Sequence, residues 1–212
     1  MGLVGRQFAN PRGLVGRLVG RAMGRGNAAF NRWLIDTVAD RTGADLARVA
    51  ELGCGPGVGL ERLLSVFPAA QVWGIDRSPV MIVQSRRRNA HEIDGGRLHL
   101  TEGDVSALGE PAPLDLVVAV NLLYFWHEPG VELARVRAAL RPGASVAIGY
   151  LLRKDMPRMA QRQFSAEGYR LYDSDQQVIT LLHEAGFADV EITTQEAAAG
   201  QRSSGRLALG TA

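Results

Sequence analysis

The sequence predicts a doubly wound α/β fold with one seven-stranded, mostly parallel sheet and an antiparallel last strand. Three observations carry this prediction. Strand-like apolar runs alternate with helix-patterned segments along most of the chain, the order that builds a parallel sheet flanked by helices. The run Leu114 to Val120 is almost continuously apolar, as in a strand covered on both faces. The last two strand-like segments, Ala188 to Thr194 and Arg206 to Gly210, lie too close in sequence for a crossover helix, so they must pair antiparallel.

Length and composition narrow the classes. At 212 residues, 46% of them apolar, the chain holds one α/β domain with a sizeable core. A net charge of +2 argues against a dedicated nucleic-acid binder. Lys154 is the sole lysine among 24 basic side chains, which reads as coding bias. Cys54 stands alone, so an internal disulfide or a cysteine-cluster metal site is excluded. The four histidines show no metal-ligand spacing, and no metal is expected. No apolar run reaches the roughly 18 residues that span a bilayer. The N-terminus lacks the compact apolar core of a leader. The expectation is a cytoplasmic monomer or homodimer without stable membrane insertion.

Residues 1 to 26 are rich in Gly and Arg. From Leu14 a helical face forms, with Arg17, Arg21 and Arg25 beside it and Gly16, Gly20 and Gly24 as a smooth strip. Each glycine inside a helix costs about 1 kcal/mol relative to Ala, so this segment orders only against something. It is expected to be a helical lid over a ligand or a docked helix; a membrane-surface patch is the weaker reading, because glycine dilutes its apolar face. Asn27 then reads as an N-cap opening the main domain, residues 27 to 212. Its first helix carries Phe30, Trp33, Leu34, Thr37, Val38 and Arg41 on one face and ends at Gly43.

The first strand is Arg48 to Leu52. After it come Gly53, Gly55 and Gly57, and a helix whose Leu60, Leu63, Leu64 and Phe67 share a face. A strand, a glycine turn and a helix start form a crevice toward which the helix N-terminus directs free N–H groups. Glu51 faces it, an acid suited to a cationic or hydroxyl-bearing ligand. The second strand, Gln71 to Ile75, ends at Asp76, where a βαβ unit grips ribose hydroxyls. Ser78 caps the next helix with Pro79 at its first position; Met81, Ile82 and Ser85 continue it, and Arg86 to Arg88 form its solvated face. Arg97 to Thr101 is the third strand, followed by Glu102, Gly103, Asp104 and Val105. The fourth strand ends at Asn121, then Leu122, Leu123, Tyr124, Phe125, Trp126 and His127. A helix bearing Leu133, Val136 and Leu140 stops at Arg141-Pro142-Gly143, and Ala144 to Tyr150 is the fifth strand. Residues 151 to 172 break the rhythm and read as a substrate cover. Ser174 and Gln177 make a capping box before a helix bearing Val178, Leu181 and Leu182.

The stretch Glu51-Leu52-Gly53-Cys54-Gly55-Pro56-Gly57 resembles the first motif of the class I S-adenosylmethionine-dependent methyltransferases, an acid, any residue, then Gly-x-Gly-x-Gly. The resemblance covers about residues 27 to 212, including the final strand pair, and is nearest to the small-molecule, type 11-like members. It implies a Rossmann-like methyltransferase fold, S-adenosyl-L-methionine as cofactor and methyl transfer to a small-molecule acceptor. It further implies cofactor contacts from Glu51, Gly53, Cys54, Gly55, Gly57, Asp76, Arg77, Met81, Asp104, Val105 and Asn121. Glu51 would face the methionyl ammonium, the glycine turn its carboxylate, Asp76 the ribose, and Asp104 and Val105 the adenine. Tyr124 and His127 are expected on the acceptor side, with His127 as a base and Phe125 and Trp126 divided between core and site. Gly143-Ala144 departs mildly from the Gly-Gly common in the family. Two alternatives stay open: a nicotinamide-dependent oxidoreductase, disfavoured because Val58 stands where Gly-x-Gly-x-x-Gly needs glycine, and a non-catalytic S-adenosylmethionine-binding regulator.

Overall fold

The computed structural model describes residues 13–196 and 204–212, with side chains from residue 28 onward. Residues 1–12 and the side chains of Arg17, Arg21 and Arg25 therefore lie outside the described part. The strands are β1 (Arg48–Leu52), β2 (Gln71–Asp76), β3 (Leu98–Glu102), β4 (Leu114–Val120), β5 (Leu140–Tyr150), β6 (Ala188–Thr194) and β7 (Arg206–Thr211). They form one sheet in the order β3-β2-β1-β4-β5-β7-β6. Pairing is parallel from β3 to β5, and β7 runs antiparallel to both β5 and β6. The strand order reverses direction between β1 and β4, and at such a switch point the connections leave to opposite faces and open a crevice at the carboxyl edge.

The helices are α1 (Gly13–Thr42), α2 (Val58–Val66), α3 (Pro79–Arg88), α4 (Ala90–Asp94), α5 (Pro129–Ala139), α6 (Arg158–Ala166) and α7 (Asp175–Glu184). Two apolar layers sandwich the sheet. On one face Leu34, Ile35 and Val38 of α1 pack with Leu60, Leu63 and Leu64 of α2, Phe67 just beyond it, and Ile82 of α3. On the other, Leu133 and Val136 of α5 pack with Val178 and Leu182 of α7. The predicted stripe Leu60, Leu63, Leu64 and Phe67 is buried throughout. Ser78 caps α3 by accepting from the Met81 N–H at 3.4 Å, with Pro79 opening the helix. The Gln177 side chain accepts from the Ser174 N–H at 3.3 Å, completing the box at α7.

Three expectations change. Asn27 is not an N-cap: α1 runs unbroken from Gly13 to Thr42, because glycine permits helical dihedrals as readily as others and nothing near Asn27 forbids them. Strand β5 begins at Leu140, directly after α5 ends at Ala139, so Arg141-Pro142-Gly143 belongs to the strand's start. The insertion is ordered: a 3-10 turn at Arg153–Asp155 and the helix α6. Arg206 ties it to the scaffold by facing Asp155 at 3.4 Å, while Asp175, 3.5 Å from Arg206, accepts from the Tyr150 hydroxyl at 2.6 Å just outside the insertion.

Candidate functional site

A cavity of about 250 Å³ opens at the carboxyl edge of the sheet. Consecutive strand ends build it. Leu52 and Gly53 follow β1; Ile75, Asp76 and Arg77 come from the end of β2; Gly103, Asp104 and Val105 follow β3. Leu122, Phe125 and Trp126 from the segment after β4 and Tyr169 from the insertion form the opposite wall. Expected cofactor residues Gly53, Asp76, Arg77, Asp104 and Val105 thus meet in one place.

Asp76 holds the turn in shape. One carboxylate oxygen accepts from the Gly55 N–H and the other from the Ser78 N–H, each at 2.8 Å. Each oxygen keeps a lone pair for a ligand hydroxyl. Burial raises its pKa, while the two amides work against that rise. Asp104 is tied by its Ser106 neighbour, whose N–H and hydroxyl donate to one oxygen at 2.9 and 2.7 Å. Those bonds hold its pKa below the usual value. Its other oxygen faces the half-exposed Arg77 guanidinium at 3.5 Å.

The glycine turn spends its own amides internally. Gly53 and Cys54 donate to the Ile75 carbonyl at 2.8 and 3.1 Å, and Gly57 donates to Cys54. The donors left for an anion are therefore the first N–H groups of α2, which have no partner within the helix. Gly57 has φ 81° and abuts the end of α3: a Cβ there would lie 2.5 Å from Ser85 Oγ and Asn89 Nδ2. Gly55 opens onto free space, and Leu122 packs over Gly53. Gly59, not anticipated from sequence, is a true close approach. A Cβ on it would fall inside the Glu51 carboxyl group.

Glu51 is 3% exposed, and its Oε2 has no hydrogen-bond partner. Burial, followed by the nearby Asp76 charge, pushes its pKa up to about 8. Asn121 Oδ1 and Asn31 Oδ1 are likewise buried without partners. Asn121 lies two residues past Ala119, the β4 partner of Leu52. It holds φ 54°, tolerable for Asn, and its N–H donates to Gly149 at 2.8 Å. The ring of Phe30, beside Asn31 on α1, rests against that same Gly149. A buried carboxyl oxygen without a donor suits a ligand that brings N–H groups, as a primary ammonium does.

Other expected residues fall elsewhere. Cys54 is buried beside Gly74, and burial raises its thiol pKa, with Asp76 and Glu51 adding to the rise. Met81 is buried in α3 and does not line the cavity. Tyr124 is 2% exposed; its hydroxyl donates to the Leu151 carbonyl at 3.0 Å and accepts from the Leu151 N–H. With both roles spent on main chain, and its pKa raised by burial, Tyr124 ties the insertion to the scaffold and is corrected from the acceptor side. His127 is exposed, just before α5, and lies outside the cavity lining. Phe125 and Trp126, divided above between core and site, are the members of that run that line the cavity. The signal for Gly59 was present, since Gly53, Gly55, Gly57 and Gly59 continue one alternation. Tyr169 carried no signal beyond its place in the insertion.

The model of the methyltransferase domain family matches residues 49–143, the stretch from β1 into β5 that supplies most of the cavity. That match and the relatives below support a class I S-adenosylmethionine-dependent methyltransferase. Among curated relatives, a trans-aconitate 2-methyltransferase of Methylobacterium nodulans is 35% identical over 102 residues, 48% of this chain and 37% of that relative. An uncharacterized methyltransferase of Bacillus subtilis is 26% identical over 176 residues, 82% of this chain and 88% of that relative. The matched part of the chain thus spans little more than a third of the trans-aconitate enzyme's length. Of solved structures, the mitomycin 7-O-methyltransferase superposes with a TM-score of 0.73 at 19% identity, covering 100% of this chain and 61% of that one. The N-methyltransferase NodS of Bradyrhizobium japonicum, solved with S-adenosylhomocysteine, gives 0.63 at 19% identity over 88% and 86%. The fold is thereby the Rossmann-like methyltransferase fold, and the family's cofactor is S-adenosylmethionine. The residues present suit that cofactor chemically: Glu51 Oε2 is a buried acceptor without a donor, and the cavity-lining Asp76 carboxylate keeps lone pairs for hydroxyls.

Proposed function

We propose that this methyltransferase moves a methyl group from S-adenosylmethionine to a small-molecule acceptor held against Leu122, Phe125, Trp126 and Tyr169. The observation that carries the reading is the cavity edge that brings Gly53, Asp76 and Asp104 together, with the unpartnered Glu51 carboxyl one residue before the lining residue Leu52 and against Gly59 of α2. Asp76 would hold the ribose hydroxyls, Asp104 and Val105 the adenine, Glu51 and Asn121 the ammonium, and the first N–H groups of α2 the carboxylate. The cofactor supplies an activated methyl on a sulfonium. The chain's task is to align the acceptor atom with it and to keep water out, which is worth several orders of magnitude in rate.

The acceptor wall is aromatic. Phe125 meets Tyr169 edge-on at 5.0 Å and Phe164 at 5.3 Å, so the insertion closes on the segment after β4. Tyr169 is the one ionisable side chain of that wall, and burial raises its pKa, with the charge and hydrogen bond of Glu167 adding to the rise. No strong base stands there, so positioning supplies the rate. The chain would act in the cytoplasm as a monomer or homodimer. Residues 1–26 would lie over the ligand as a lid, and the non-catalytic binder is the outcome in which cofactor binds and nothing turns over.

The test is release of S-adenosylhomocysteine during incubation with carboxylic acids, phenols and amines. An acceptor that supports turnover establishes transfer. His127→Ala should then keep turnover within about twofold, since surface changes away from a site are nearly neutral. A loss of about 10² or more would restore His127 as the base.

A further inference from the structure

Glu51 and Asp76 stand close enough for Asp76 to raise the Glu51 pKa, yet their surroundings differ. Asp76 receives two main-chain N–H groups and faces the cavity. Glu51 is 97% buried, as the complement of its 3% exposure, and one of its oxygens has no partner. Among the described residues, the groups that face Glu51 bring no positive side chain. Strand β2 brings Gly74 alongside and Asp76 at its end, and β4 brings Val118. The turn brings the Cys54 thiol, and α2 brings Gly59. Among the described residues no ion pair includes Glu51. The N-terminal dipole of α2 favours the carboxylate, but by a fraction of what full burial costs an unpaired charge. Of two neighbouring carboxyls, the one lacking donors takes the shared proton.

We propose that this methyltransferase takes up its cofactor with release of a proton: Glu51 stands protonated in the free protein and ionises when a ligand's primary ammonium reaches it. The balance is simple. A neutral carboxylic acid and an ammonium become a carboxylate–ammonium pair, and the acid's proton leaves to solvent. No bond to carbon or sulfur changes. The inference rests on the cofactor reading above, and it adds that affinity climbs with pH across the neutral range. Ligands with the same adenosine but no amino-acid portion bind without this coupling.

Calorimetry of the whole chain tests it. S-Adenosylhomocysteine is titrated at pH 7 in phosphate and in Tris, whose ionisation enthalpies differ widely. The expected result is a buffer-dependent enthalpy equivalent to release of most of one proton. Between pH 5.5 and 7 the dissociation constant should fall by up to about tenfold per unit, the limit for one linked proton. 5′-Methylthioadenosine, which lacks the ammonium, should show the same heat in both buffers, a comparison that needs no variant. Glu51→Gln, close in shape, should bind S-adenosylhomocysteine with no proton released. Binding by the unaltered chain with equal heats in both buffers overturns the proposal, as does equal proton release from the Gln variant. No binding of S-adenosylhomocysteine at any pH overturns the cofactor reading itself, a result distinct from binding without proton release.

Discussion

At the scale of the residue, Glu51 sets the character of the site. Its pKa in the folded protein, about 8, lies above the unfolded value near 4.3. The folded state then holds more protons than the unfolded state between those limits. Stability therefore falls as pH rises through that window, by up to about 1.4 kcal/mol per unit for one proton, and levels off above it. Below the unfolded pKa both states are protonated and the effect vanishes. Thermal melts of the unliganded chain at pH 5, 6, 7 and 8 should show Glu51→Gln increasingly more stable than the parent chain. A difference independent of pH would contradict the assignment. The acids at the ends of β1, β2 and β3 were readable from sequence, because strand, turn and acid follow one another at βαβ spacing. That Glu51 Oε2 lacks a partner was not readable, since a partner depends on which groups α2 and the neighbouring strands bring to it. Tyr124 and His127 mark a second limit. Sequence places them after β4, but which side of that short segment faces the cavity is decided by packing, and packing selected Phe125 and Trp126.

At the scale of the element, the junction of β1 and α2 is the tightest part of the site. Helix α2 passes so near β1 that Gly59 abuts the Glu51 carboxyl. Gly59→Ala should displace that carboxyl or the first turn of α2. The expected result is a loss of about 1 to 3 kcal/mol in stability, the usual cost of overpacking, together with at least tenfold weaker S-adenosylhomocysteine binding. Gly43→Ala, at φ 77° with nothing within 4 Å, should cost only about the 1–2 kcal/mol of left-handed strain and leave binding alone. Denaturant melts with a binding titration separate the two. Equal binding losses would show that strain, not crowding at the carboxyl, governs the site. Strands and most helices were legible because apolar spacing and caps mark them. The break assumed at Asn27 was not real, since an N-cap residue inside a continuous helix carries the same letter as one at its start. Helix α6 was missed because it buries no residue fully; its hold on the fold comes from Phe164 meeting Tyr124, Phe125 and Tyr169.

At the scale of the whole molecule, the crevice lies where the sheet's strand order reverses, with α1 on one face and the insertion arching from the other. Among the described residues no helix is long and apolar enough to cross a membrane, and no cluster of three or more metal-ligating side chains occurs. Helix α1 is anchored by Leu34, Ile35 and Val38, and the lid proposed above concerns the residues before them. Limited trypsin digestion should cut at Arg17, Arg21 and Arg25 more slowly with S-adenosylhomocysteine present. Equal rates would leave α1 as a plain docked helix. The sheet order was legible from sequence as a class, because alternating strands and helices admit few topologies. The aromatic closure between the insertion and the segment after β4 was not, because it joins residues some 40 positions apart through contacts that no local pattern encodes. The central claim is that this crevice is built for S-adenosylmethionine. Calorimetric titration of S-adenosylhomocysteine into the whole chain at pH 7.5 tests it most directly. One site with a micromolar dissociation constant, about −8 kcal/mol, is the predicted result, with no heat from NADH or NADPH. A folded chain that gives no heat with S-adenosylhomocysteine, or that binds a nicotinamide dinucleotide in its place, would contradict the account.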